Sequence, residues 1–134
     1  MDLLLAEART GPVHLLRPEI ARQVADAIRY HAHTLGHYHL HSYVVMPNHV
    51  HMLVTPSVPA SVLTNSLKRF TAREANRKLG LTGKPFWQDE SYDHLVRDEA
   101  EFQRIARYIE WNPLKGGLVA APEEFPWSSA SWAG

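Results

Sequence analysis

The hydrophobic period of the chain changes abruptly at His37, and that switch constrains the fold more than any other feature of the sequence. Before it, Ile20, Val24 and Ile28 recur every four residues, with Leu35 two turns on. Pro18 and Glu19 suit the first turn of a helix, because proline loses no hydrogen bond there and an acid complements the positive dipole end, and Gly36 can stop it. After it, HYHLHSYVVM alternates with period two and is rich in aromatic and β-branched residues, which predicts a strand. Pro47-Asn48 can turn the chain, and HVHMLVT reads as the antiparallel partner. A hairpin is therefore expected, with Val50, Met52 and Val54 facing a core and His49 and His51 on the opposite face.

The remainder continues the alternation of helix and strand. Residues 60 to 79 read as a helix with Leu63, Leu67 and Phe70 on one face and Gly80 closing it. A loop carrying Gly83, Pro85 and Trp87 leads to YDHLV, a short strand. Asp98 with Glu101 three positions later is a capping-box pattern that opens DEAEFQRIARYIEWN, and Pro113 is expected to end that helix. The tail from Gly116 carries Pro122 and Pro126 and looks irregular. Helix, hairpin, helix, strand and helix in this order describe an α+β fold, an antiparallel sheet with helices packed on it. No repeat or linker divides the 134 residues, so one domain spanning 1–134 is expected.

Composition narrows the chemistry. Lys plus Arg and Asp plus Glu number 14 each, so no global field draws the chain to a polyanion, and a nucleic-acid partner would need a local patch. Absence of cysteine removes disulfides, thiolate metal sites and thiol nucleophiles. MDLLLAEA lacks the positive flank of a signal peptide, and no apolar run approaches the roughly 20 residues needed to span a bilayer. A soluble, cytoplasmic protein without a membrane partner is expected. Of the nine histidines, five fall between His37 and His51, which directs attention to the hairpin.

Two imidazoles one residue apart on a strand can converge on one divalent ion, given a third ligand from elsewhere. Equally, they can be interior histidines held by backbone hydrogen bonds. His37, His39 and His41 are expected to share a face of the preceding strand as lightly packed residues, with His41 the nearest neighbour of the pair. Metallo-hydrolases that open with such a pair continue with aspartate where this chain has Leu53, and a histidine-triad hydrolase would need histidine there. Barrel amidohydrolases need about 250 residues. On the last helix, Tyr108 and Asn112 are four apart and share a face at the margin of the Ile105 and Ile109 stripe. Such a tyrosine can pack its ring while its hydroxyl reaches a cleft, or serve packing alone.

MPNHVHMLV at 46 to 54, KPFWQDESYDHLVRDEAEF, RYIEWNPLKGGLV at 107 to 119 and PEEFPWSSA occur in an order that resembles the single-tyrosine HUH transposases, most closely the REP-associated tyrosine transposases. The HUH motif itself is His49, Val50, His51. The resemblance implies a ferredoxin-like sheet and cleavage and joining of single-stranded DNA carrying hairpins. It implies metal ligation by His49, His51 and Asn112, and a nucleophilic role for Tyr108. The implied reaction is transesterification: a phenol, weakly nucleophilic at its ordinary pKa of about 10, attacks a backbone phosphorus to give a 5′-phosphotyrosine and a 3′-hydroxyl. The implied metal is Mg²⁺ or Mn²⁺, with nitrogen ligands leaning toward Mn²⁺, and no nucleotide cofactor is needed.

The charge distribution accommodates such a partner. Lys68, Arg69, Arg73, Arg77, Lys78 and Lys84 stand against Glu74 alone, a basic stretch able to follow a phosphate backbone or simply to be solvated. Trp87 is placed to stack on an unpaired base or to cap the core, and Lys115 to meet a phosphate near Asn112. Members of the family begin with a strand of the type aromatic-x-Val-Thr-Phe-Arg, ahead of the segment matching LLLAEARTGPVHLLRPEIA, and this chain starts after it. The expectation is therefore that the first, interior strand is lacking, through a start missed upstream or a decayed gene copy. Val13 to Leu16 or a partner chain are the alternatives for filling it. The enzyme reading competes with a catalytically silent hairpin-DNA-binding protein and a truncated inactive product, as a monomer or homodimer, nucleoid-associated in the cytoplasm.

Overall fold

A computed structural model describes residues 3–10, 15, 17–80 and 86–131. The elements run β1 (Leu3–Thr10), α1 (Pro18–His33), β2 (Tyr38–Met46), β3 (His49–Pro56), α2 (Ala60–Leu79), β4 (Trp87–Val96) and α3 (Glu99–Lys115), with short 3₁₀ turns at Pro122–Glu124 and Ser129–Ser131. The four strands form one sheet in the order β2-β3-β1-β4, with every neighbouring pair antiparallel. The βαββαβ order with this arrangement is the ferredoxin-like fold, to which α3 is added on the second face.

The expected gap in the sheet does not exist. Leu3–Thr10 is itself the interior strand, pairing Glu7 with His51 of β3 on one side and with Tyr92 of β4 on the other. The segment LLLAEART thus does the work assigned to a missing strand, and Val13 to Leu16 is not needed for it. Its disguise has a physical cause. An interior strand buried on both faces carries apolar residues continuously, with Leu4 and Ala6 in one core and Leu5 in the other, so it shows no alternation.

Two cores sandwich the sheet between layers of helix. Ile20, Val24 and Ile28 of α1 and Leu63, Leu67 and Ala75 of α2 close on Val50, Met52 and Val54 of β3. Ile109 of α3 closes on Leu5, Val44, Met46, Leu53 and Val96 across the other face. Because residues alternate along β3, the face carrying Leu53 also carries His49 and His51, so the histidines look toward α3. The hairpin turn that delivers them is tethered by backbone bonds from Thr10 to Asn48 and from Leu15 to Pro47, at 2.9 and 3.0 Å.

Several local expectations are corrected. Leu35 lies past the end of α1, which caps at Thr34, and is exposed. β4 begins at Trp87, not in YDHLV. Pro113 sits inside α3 and is buried: it comes in the final turn, where one lost backbone bond is offset by packing. The helix ends instead at Gly116 and Gly117, the latter at φ 74°, with Leu118 N–H donating to Pro113 C=O and Gly117 N–H to Leu114 C=O. That reciprocal pair is a Schellman closure.

The tail is more ordered than its composition suggests. Val45 N–H donates to Trp127 C=O at 2.8 Å, and Tyr43 N–H to Ser129 Oγ at 3.0 Å. Residues 127–129 therefore cover the outer edge of β2, a strand otherwise open to pairing with another chain. The Ser129 hydroxyl also donates to Glu110 on α3, tying that helix to the same edge.

Candidate active site

The site lies where α3 packs over β2 and β3. Asp98 caps α3 by accepting from Glu101 N–H at 2.9 Å, and the buried Glu101 carboxylate holds Arg97 through its backbone N–H and guanidinium. With Ile109 fully buried at the centre of the contact, Tyr108, one residue further round the helix, falls at the edge of the interface and is half exposed. Its ring meets His51 edge to face, centroids 5.6 Å apart. The His51 and His49 rings are themselves 4.6 Å apart. Lys115, two turns beyond Tyr108, holds its ammonium 5.9 Å from the centre of the tyrosine ring.

Both imidazoles are oriented from behind. His51 is buried, and its Nδ1 lies 2.9 Å from Oε1 of Glu7, directly across the ladder on β1. His49 Nδ1 lies 2.6 Å from the Asn48 side-chain oxygen. An acceptor-only oxygen beside each Nδ1 favours the proton there, and in the neutral ring the lone pair is then on Nε2. This is the arrangement in which histidine pairs bind metals.

Among the described residues no group of three His, Cys, Asp or Glu is placed to hold a metal ion. Asn112 is the candidate third ligand on α3, one turn past Tyr108. Its amide nitrogen is buried with no hydrogen-bond partner among the described residues, a donor that a phosphate or water oxygen would satisfy, while a cation would be met by the carboxamide oxygen. Two ring nitrogens and a carboxamide are a donor set suited to Mn²⁺ or Mg²⁺.

The structure thus gathers His49, His51, Tyr108 and Lys115, with Asn112 on the same helix. It separates them from the basic stretch on α2. Arg69, Arg73, Arg77 and Lys78 are exposed and Lys68 is half-buried, but α2 covers the opposite face of the sheet. Arg77 is paired with Glu74. Arg69 and Arg73 border a hollow of about 500 Å³ that also contains Tyr30, Phe70 and Asn65. Lys84 lies outside the described residues. Of its two readings, Trp87 takes the packing one: the indole is buried and donates to Thr71 Oγ1 at 2.8 Å.

The other three histidines between 37 and 51 are also placed. His41 is not a neighbour of the pair, since its Nε2 meets Thr55 Oγ1 at 2.7 Å towards the far end of β3. A register shift between Leu40 and Ser42 breaks the alternation there. His39 and His41 do meet, edge to face at 4.8 Å, whereas His37 turns to His31 at 5.5 Å. Glu7 is the site residue that sequence reading missed. A lone acid within an apolar run was its only signal, and that signal acquires meaning once the run is recognised as a strand.

The sequence profile of the family described as IS200-like transposases matches residues 12–112. A Haemophilus influenzae protein assigned as a REP-associated tyrosine transposase is 24% identical over 96 residues, covering 63% of this chain and 54% of its own. The Escherichia coli REP-associated tyrosine transposase is 26% identical over 96 residues, covering 69% and 54%. The chain spans about half the length of these curated relatives. Among solved structures, a REP-associated tyrosine transposase bound to a REP hairpin superposes with a TM-score of 0.71 at 20% identity, over 99% of this chain and 86% of that one. A Deinococcus radiodurans transposase structure gives 0.58 at 25% identity, over 82% and 88%. The chain belongs to the IS200-like transposase family.

Proposed function

We propose that the protein cleaves and rejoins single-stranded DNA beside a hairpin through a 5′-phosphotyrosine on Tyr108. The observation that carries this reading is the packing of the Tyr108 ring on the His51 ring, which sets a phenol beside the His49–His51 pair on the face covered by α3. The hairpin substrate is suggested by the REP hairpin held by the structurally similar transposase.

In the reaction, Tyr108 Oη attacks a backbone phosphorus. The Oη–P bond forms, the bond from phosphorus to the 3′-oxygen breaks, the phenolic proton passes to solvent and the released 3′-oxygen takes one up. Rejoining is the reverse attack by a 3′-hydroxyl, so no nucleotide cofactor is consumed. His49, His51 and Asn112 would hold Mg²⁺ or Mn²⁺, which supplies Lewis-acid polarisation of a phosphate oxygen. Glu7 and Asn48 keep both rings in the ligating tautomer, and α3 holds nucleophile and carboxamide one turn apart. The Lys115 ammonium beside Tyr108 counters phosphate charge.

Incubation with hairpin-bearing single-stranded DNA and Mn²⁺ should yield a covalent protein-DNA species that migrates slowly on a denaturing gel. Replacing His49 and His51 together by Ala should abolish it. A native-gel shift with no covalent species under any divalent metal would instead identify a hairpin-binding protein without turnover.

A further inference from the structure

The outer face of α3 carries a stripe of which the strand-cleavage chemistry uses only Lys115. Arg104, Arg107, Trp111 and Lys115 follow one another at helical spacing and border, with Tyr108, a hollow of about 480 Å³. Trp111 is 46% exposed, although α3 has a buried side occupied by Ile109 and Pro113 to which an indole could contribute. An isolated exposed aromatic is unremarkable, but this one has cations before and after it along the helix.

We propose that this face is a subsite for the unpaired nucleotides next to the phosphate at Tyr108, with Trp111 stacking on a base and Arg107 and Lys115 meeting the flanking phosphates. The proposal rests on the reading of Tyr108 given above and specifies where the strand runs. Helical rise puts Trp111 about 4.5 Å along the axis from Tyr108, on the order of one stacked nucleotide. Every base offers a π-face, so the contact tolerates sequence, while alternating cations and aromatics are the signature of single-strand tracks. A second copy of the chain is a poorer occupant: a two-fold contact here would set Arg104, Arg107 and Lys115 against the same cations of its mate. Arg104 is partly engaged by Glu101, at 3.6 Å, which leaves Arg107 and Lys115 as the principal phosphate contacts.

The test is fluorescence anisotropy in EDTA, where binding is read without cleavage. Two probes are used: a DNA hairpin with six unpaired nucleotides at each end, and the same hairpin with blunt ends. The wild-type protein should prefer the flanked probe, and Trp111→Ala should reduce that preference about tenfold, the scale of one base-aromatic stack. Trp111→Phe, which keeps a ring, should retain most of it. Arg107→Ala with Lys115→Ala should lower the salt dependence for the flanked probe only. The proposal is overturned by an unchanged preference in Trp111→Ala, by equal loss in the Ala and Phe variants at unchanged melting temperature, by no binding of either probe, or by a dimer that Trp111→Ala dissolves. An intact preference without any covalent species would defeat the role of Tyr108 and leave the subsite standing. A covalent species with no effect of Trp111 would do the reverse.

Discussion

The Glu7 carboxylate faces the His51 imidazole across the β1-β3 ladder, with Oε1 2.9 Å from Nδ1 and the imidazole only 3% exposed. A buried ring held this way has its tautomer and its orientation set by a residue that never touches substrate. Glu7→Ala should therefore weaken Mn²⁺ binding by about 10- to 100-fold in calorimetric titration, the usual effect of removing an orienting carboxylate. Glu7→Gln, which still offers an accepting oxygen, should lose less. Equal Mn²⁺ affinity in wild type and Glu7→Ala would show that the carboxylate has no orienting role.

His31 supplies a pH prediction away from the site. It is buried between α1 and α2, with Nδ1 2.9 Å from the Ala27 carbonyl and Nε2 3.2 Å from Ser66 Oγ. Burial pushes its pKa below the ordinary histidine value, and the adjacent His37 adds to the shift. His41 is lowered by burial and by His39. The unfolded chain then binds more protons than the folded one as pH drops through about 6.5, so stability is complete above that value and declines below it. Urea unfolding between pH 8 and 5 should show this decline, and His31→Gln should flatten part of it. A decline identical in the variant would assign the effect to other groups.

The placement of Tyr108 depends on the start of α3. Glu101 is 5% exposed and accepts from the Arg97 backbone N–H at 2.9 Å and from its guanidinium at 3.0 Å. Glu101→Ala removes these bonds and should cost about 2 kcal/mol in chemical denaturation, within the range for a hydrogen bond to a charged group. Asp98→Ala, removing the cap, should cost about 1 kcal/mol. Changes within 0.3 kcal/mol for both would mean that this helix start is not a stabilising feature.

The helices legible in the sequence were those whose burial is one-sided: α1 and α2 each turn one face to a core, so period four marks them. The β2-β3 hairpin enters both cores, but its alternating histidines and its Pro47-Asn48 turn marked it, and the parity of β3 put His49 and His51 together correctly. β1 escaped because Leu4 and Leu5 enter different cores, which removes the alternation that identifies a strand. The extra residue at the β2 bulge likewise defeated simple parity, so His41 could not be placed by counting. Pro113 misled because a proline costs less in a last turn than in a helix interior. Glu7 and Trp111 were invisible for a different reason: their significance comes from what lies across a ladder or outside a helix, and neither neighbourhood is written in local spacing.

Tyr108 as nucleophile is the centre of the account, and the most direct measurement is mass spectrometry of the protein-DNA species after nuclease trimming and proteolysis. A nucleotide mass carried on Tyr108, with no covalent species formed by Tyr108→Phe although it still binds the hairpin, is the result expected. A nucleotide on any other residue, or an undiminished yield from Tyr108→Phe, would contradict it.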